Sequence, residues 1–440
     1  MLTDTISLPQ PVPTPGARTS MRALHAMLKA KNPLAALQVF HDETGDIFQI
    51  KLPGFSPIVL VGPDAAHFVL VDSRDELRWR NDDDPITRLL RHGLLVEDGA
   101  LHDQVRRLIS PTLHKRMLSD YLDIMWQSTE QVLSTWKQDD VIDMLVEMRK
   151  VTLLILTHTL FRTDFHQEID NLWASVLDIT RYISPGFWLF WRDAPRPGYQ
   201  RSIGQMDEYL YRIIHLRRLE LERSPDSRDD LLSILVTSNL SDDLIRDQLL
   251  TMLIAGHDTS TALLAWTLYL LGEHPEDMKF LQDEVSKLAV NTPSMINQLN
   301  NLRFLDQVIR ESLRLYPPAH MGSRLAIRDL NFNGYLIPKD QRVIYSIYLT
   351  QRHKDYWEHP HDFMPHRHNK RTSQTPYAWL AFGGGPRNCI GAAFGLLEAK
   401  VVLANILQRF ELQLVSKNVR PHMGATLEPH PGVYMKIKAR

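Results

Sequence analysis

The chain has a single cysteine, Cys389, set in Phe382-Gly383-Gly384-Gly385-Pro386-Arg387-Asn388-Cys389-Ile390-Gly391 immediately before a helical pattern. Glycines admit positive φ and the close approach of a flat ligand, and N–H groups at a helix start favour a thiolate over a thiol. The run therefore reads as a holder for a sulfur anion, although an isolated cysteine is more often a buried, inert side chain. A second anomaly is Ala255-Gly256-His257-Asp258-Thr259, where a glycine and an acid interrupt an apolar stretch. A mid-helix glycine costs about 1 kcal/mol relative to alanine. Such a broken rule inside a core often marks a working site. Asp258 and Thr259 put an acid and a hydroxyl side by side, next to a glycine that can open the helix. The plainer reading of Thr259 is a hydroxyl bonded to the Ala255 carbonyl four residues back.

These groups need elements to position them. Ser241 is an N-cap, Asp242 and Asp243 suit the positive end of a helix dipole, and Gly272 with Pro275 marks a stop. The resulting helix of about thirty residues is on the order of 45 Å long at 1.5 Å per residue, so it must cross the core. Residues 47–61 predict a hairpin turning at Pro53 and Gly54. From 63 to 315 the apolar spacing is mostly helical. Strands return over 323–347, with a turn at Asn333-Gly334 and an edge from Tyr335 to Pro338. A last helix over about 391–410 follows Cys389, then a β tail over 411–439. The expected fold class is mainly α with small β-sheets. No repeat or Gly/Ser-rich linker divides it, so residues 1–20 read as a Pro-rich arm and 21–440 as one catalytic domain.

Composition excludes several classes. At 440 residues, with 44% hydrophobic and 23% charged residues, the chain is neither a small binding module nor disordered. Its 50 Lys+Arg against 52 Asp+Glu give a net charge of -2, without the basic excess of a general nucleic-acid binder. No apolar run reaches the roughly 18 residues of a membrane span. One cysteine, and an amino terminus without a signal-peptide core, point to the cytoplasm.

Phe-x-x-Gly-x-Arg-x-Cys-x-Gly, from Phe382 to Gly391, resembles the haem-ligand signature of the cytochrome P-450 family at every fixed position. In the order that family has, Ala255-Gly256-x-Asp258-Thr259 resembles its oxygen-activation segment, and Glu311-x-x-Arg314 and Phe363-x-Pro365-x-Arg367 resemble its structural motifs. The resemblance implies haem b between the long central helix and the cysteine loop, with Cys389 as the axial ligand of the iron. His102-x-x-x-Arg106, Arg324 and Arg387 are similar to the family's propionate partners, and Ala255, Phe382 and Gly391 would border the cofactor. Asp258 and Thr259 would be catalytic, arguing against a peroxide-using variant, while Glu311, Arg314 and Arg367 would form a structural ion-pair network. His257 would face away from the iron.

The resemblance further implies a monooxygenase inserting one atom of dioxygen into a lipophilic substrate, by hydroxylation or epoxidation of a fatty acid, terpenoid or steroid-like compound. The cavity would be lined by 84–100, about 181–195, the long helix, the stretch after Pro318 and a turn near Leu427 to Val433. Phe187, Trp188, Leu189, Phe190 and Trp191 would act as a lid. The chain stops soon after its β tail, so a separate donor, ferredoxin or flavodoxin with its reductase, is expected. Arg107, Lys115 and Arg116 are candidates for steering it. Competing readings are an oxygen-independent isomerase or dehydratase, a haem sensor or carrier without turnover, and, remotely, a cysteine hydrolase. The cluster His353, His359, His361, His366 and His368 has metal-ligand density, but Pro360 and Pro365 break any regular array, and an exposed irregular loop is expected there.

Overall fold

The computed structural model describes residues 9–114, 117–163, 166–184, 196, 198–224, 230–290, 292, 294–369 and 375–440. Helices dominate. Those used below are α1 (Ala17–Ala30), α2 (Pro33–Thr44), α3 (Gly99–Ile109), α4 (Leu118–Leu133), α5 (Met144–Leu156), α6 (His166–Ile183), α7 (Asp242–Glu273), α8 (Arg303–Leu315) and α9 (Ala392–Arg409). The position between residues 20 and 21 lies inside α1.

α7 is the expected long helix, 32 residues from Asp242 to Glu273. The Ser241 hydroxyl accepts the Leu244 N–H at 3.3 Å, which satisfies one of the donors a helix start leaves open. Ile245, Leu249, Leu250, Leu264 and Leu268 are buried along its length. Trp266 is fully buried, stacked on Tyr316 at 3.7 Å, and its indole N–H donates to the Leu427 carbonyl at 2.8 Å. α7 packs against α5 on one side and α8 and α9 on others, so it is the axle of the helical core.

Gly256 has a packing role. α7 continues through residues 255–259 without a break, and a Cβ on Gly256 would meet Leu156 of α5 at 2.5 Å. The glycine therefore permits close helix approach, and the expectation that it opens α7 is corrected.

Among the described residues, four small sheets flank the helices. β2 (Ile47–Gln49) and β3 (Ile58–Leu60) form the expected hairpin, with Gly54 at φ 71° in its turn. They continue through β9 (Arg342–Tyr345), β6 (Gly322–Ala326) and β4 (Leu77–Arg78) in the order β2-β3-β9-β6-β4. β7 (Leu330–Phe332) and β8 (Tyr335–Ile337) turn at Asn333 and Gly334, both with positive φ. β8 is not the expected edge: β1 (Gln10–Pro11) pairs parallel with Tyr335 and Leu336, placing β8 in the middle of three strands. β10 (Phe410–Leu414), β13 (Tyr434–Ala439) and β5 (Val141–Asp143) form another sheet, and β11 (Arg420–Met423) pairs with β12 (Leu427–His430) as a hairpin against α7. No helix among the described residues is long and apolar enough to cross a membrane.

Candidate active site

Cys389 lies between a single 3₁₀ turn, Gly385–Arg387, and the start of α9. Gly385 is required twice over: its φ is 62°, and a Cβ there would sit 2.4 Å from the Leu70 carbonyl oxygen. The Cys389 N–H donates to the Phe382 carbonyl at 2.8 Å and closes the loop. The side chain is accessible, yet protein crowds it enough for burial to govern its proton affinity. Both hold for a thiol facing an internal recess. Burial pushes the thiol up, outweighing the Gly391 N–H and the Arg106 charge. Burial thus opposes the pull of the loop's N–H groups towards a thiolate, and a bound metal cation would favour the deprotonated form.

On α7, Ile254, Ala255, Gly256 and Thr259 are only part-buried, while the helix is buried on either side of them. α7 is fastened to α9 next to these residues. Ser260 donates to the Glu398 carboxyl on α9 at 2.5 Å. Burial pushes Glu398 up to about 8, against the pull of Ser260.

The adjacent acid and hydroxyl face different partners. Thr259 donates to the Ala255 carbonyl at 2.7 Å, the plainer of its two readings. Asp258 is buried, and its Oδ2 accepts from the Thr426 hydroxyl at 2.9 Å. Its Oδ1 is buried with no hydrogen-bond partner among the described residues. Burial and the nearby Glu428 carboxylate push Asp258 up to about 7, against Arg149 and Thr426. Glu428 is itself ion-paired with Arg149 of α5, beside a cavity of about 330 Å³ lined in part by Ser184, His422 and His430. His257 turns to α5, where its Nε2 lies 3.1 Å from the Arg149 carbonyl; burial lowers it to about 3, so it is neutral.

The expected propionate partners divide into two kinds. Arg106 on α3 donates to the Asn388 carbonyl and side-chain oxygen at 2.9 and 2.7 Å. Arg387 donates to the Glu97 carbonyl and pairs with Asp98 at 2.9 Å. Both tie the cysteine loop to α3. His102 is buried with its Nδ1 2.9 Å from Asp103, and burial lowers its proton affinity, helped by the charges of Arg387 and Arg106. Arg324 is different. It is 6% exposed, donates to the Ser323 carbonyl at 2.8 Å and lies over the Tyr345 ring. Among the described residues, no carboxylate approaches its guanidinium within 4.0 Å. A buried cation without an acid is costly, so this position fits an anionic ligand group such as a haem carboxylate.

Behind the loop, Glu311 accepts from Arg314 through both oxygens at 2.9 Å, from Arg367 at 3.0 Å and from the Met364 N–H at 3.0 Å. His368 adds a contact at 2.9 Å. Burial alone would raise Glu311, but Arg314 and His368 hold it down at about 2. Arg314 also donates to the Gln351 carbonyl, and the Gln351 side chain accepts the Leu380 N–H at 2.7 Å, which passes the support to the loop. The expected exposure holds for His359, His361 and His366 but is corrected for two of the cluster, because His353 is buried and the His368 side chain is 3% exposed.

Sequence reasoning missed Ser260, Glu398, Thr426, Glu428 and Arg149. Glu398 carried a signal, as an acid in an otherwise apolar helical run. Arg107 is exposed on α3, while Lys115, Arg116 and the aromatic run 187–191 lie outside the described residues.

A family model described as Cytochrome P450 matches residues 13–437. Cytochrome P450 4d2 of Drosophila melanogaster is 30% identical over 391 residues, 80% of this chain and 78% of that protein. Among solved structures, the cytochrome P450DA heme domain aligns with a TM-score of 0.86 at 24% identity, covering 99% of each chain. A retinoic acid-bound cyanobacterial CYP120A1 aligns at 0.85 and 25% identity, covering 99% of this chain and 100% of that one.

Proposed function

Since the chain belongs to the cytochrome P450 family of haem-thiolate monooxygenases, we propose that it hydroxylates or epoxidises a lipophilic substrate, namely a fatty acid, terpenoid or steroid-like compound. The observation that carries this reading is the bond from Ser260 to Glu398, which holds the stretch of α7 with part-buried Ala255 and Thr259 against α9, the helix that follows Cys389. The retinoic acid held by the cyanobacterial neighbour supports a lipophilic ligand.

When bound, haem b would supply the activation of dioxygen, and the Cys389 sulfur would hold its iron. Arg324 would take a haem carboxylate, with Arg106, Arg387 and His102 adding positive potential or hydrogen bonds around it, and Ala255, Phe382 and Gly391 would border the ring. Asp258 holds a proton that it can release near neutral pH, the range in which a general acid works best. Thr259 would exchange its bond to Ala255 for one to the reacting oxygen. Electrons come from a separate ferredoxin or flavodoxin with its reductase; exposed Arg107 supports an acidic partner. We place the protein in the cytoplasm, in keeping with its one unpaired cysteine.

The test titrates haem-loaded protein with fatty acids, terpenoids and steroids while following the haem spin state, then measures NAD(P)H use and oxygenated product with each donor system. Spin-state shifts with product from at least one lipophilic class are expected. Binding without substrate-dependent NAD(P)H use in any donor system would favour a sensor or carrier; conversion without electrons would favour an isomerase or dehydratase.

A further inference from the structure

One constellation lies apart from the cysteine site. His41 stands near the end of α2, and Gly45, at φ 91°, turns the chain so that Asp46 faces back onto it. The Asp46 Oδ1 lies 2.8 Å from His41 Nε2 and 3.0 Å from His353 Nε2, a contact spanning 307 residues of sequence. The three atoms lie within 4.8 Å of one another. Metal bonds of about 2.0–2.1 Å in a tetrahedron would set ligand atoms about 3.3 Å apart, so the two contacts to Asp46 would open by a few tenths of an ångström to admit an ion.

Each imidazole also has a carboxylate near its second nitrogen, beyond hydrogen-bond distance. Ligating histidines characteristically offer their second nitrogen to a carboxylate. His41 Nδ1 is buried without a hydrogen-bond partner among the described residues, and Asp42 Oδ1 is 3.9 Å away. His353 Nδ1 has Asp355 Oδ2 at 4.0 Å. At present the Asp355 N–H reaches His353 Nδ1 at 3.2 Å, placing the ring proton on Nε2. Ion binding moves that proton to Nδ1, where the Asp355 carboxylate accepts the hydrogen bond, and the freed Nε2 lone pair takes the metal.

We propose that His41, Asp46 and His353 bind one zinc ion, with water completing the shell, as a clip joining α2 and the start of β2 to the segment after residue 350. Two imidazoles and one carboxylate are a zinc donor set. The ion stabilises the folded chain by mass action, since the unfolded chain does not assemble the site.

The test uses full-length haem-loaded protein, stripped with chelator and titrated with zinc sulfate. Calorimetry and metal analysis after gel filtration give affinity and stoichiometry, and anomalous diffraction at the zinc edge locates the ion. One zinc per chain is expected, with a raised thermal midpoint. His41→Gln, Asp46→Asn and His353→Gln should each abolish it, and Asp355→Asn should weaken it about 10–100-fold. A double variant at exposed His359 and His366 should retain it. No uptake, uptake that survives His41→Gln and Asp46→Asn, or an anomalous peak elsewhere would overturn the proposal. The haem spectrum, followed in each variant, reports separately that the active site is intact.

Discussion

Two buried carboxyl groups on facing helices, Asp258 on α7 and Glu311 on α8, have opposite fates. Glu311 is 0% exposed, and two guanidinium groups, an imidazole and a backbone N–H converge on it, so it is held at about 2. Asp258 is 2% exposed, accepts one hydroxyl, leaves one oxygen without a partner and rises to about 7. Burial penalises both charges; the cations and donors around Glu311, and the Glu428 carboxylate beside Asp258, decide the outcome. A saturated carboxylate is a fastener, and an undersaturated one can hold and release a proton. Glu398, with only Ser260 beside it, stands with Asp258 in this respect.

The largest expected effect lies on the saturated side. Glu311→Gln leaves Arg314 buried without its acid and should lower stability by about 3–5 kcal/mol, read from urea denaturation. Because the folded pKa is depressed from 4.5 to about 2, the contribution is present above 4.5 and fades as the pH falls through that interval. Asp258 has the opposite sign. Its folded pKa is raised, so its favourable contribution is present below 3.8 and is lost as the pH climbs towards about 7. Asp258→Asn should therefore cost about 100-fold in product formation while making the folded state more stable above pH 7 than the unsubstituted protein. A stability loss there matching that of Glu311→Gln would break the contrast.

Arg324→Gln comes next: removing the buried cation should weaken haem retention about tenfold or more, measured by haem transfer to a scavenging protein, if a charged hydrogen bond is lost. The smallest effect belongs to Glu398→Gln. Near neutral pH the group is already protonated, so the amide should change stability by less than about 1 kcal/mol; a larger loss would move Glu398 to the fastener class.

What the sequence disclosed was local. Ser241 as cap, Gly54 and Asn333-Gly334 as turns, and the loop from Phe382 to Gly391 all act through neighbours within a few residues. The partners that distinguish Asp258 from Glu311 are remote. Thr426 is 168 positions from Asp258, and Arg367 is 56 from Glu311. Gly256 was visible as an anomaly, but its cause, Leu156 on another helix, was not. β1 was hidden for the same reason, since two residues of a Pro-rich arm acquire strand character only by pairing with Tyr335 and Leu336. His353 read as part of a local histidine cluster, whereas its carboxylate partner lies at the other end of the chain.

The central claim is that Cys389 bonds iron through sulfur in the recess between α7 and α9. It is tested most directly by the absorption spectrum of purified, dithionite-reduced protein with and without carbon monoxide, beside Cys389→Ser. A strongly red-shifted Soret band that disappears in the variant is the predicted result. Failure to bind haem when expression supplies it adequately, or an unchanged band in Cys389→Ser, would contradict the account.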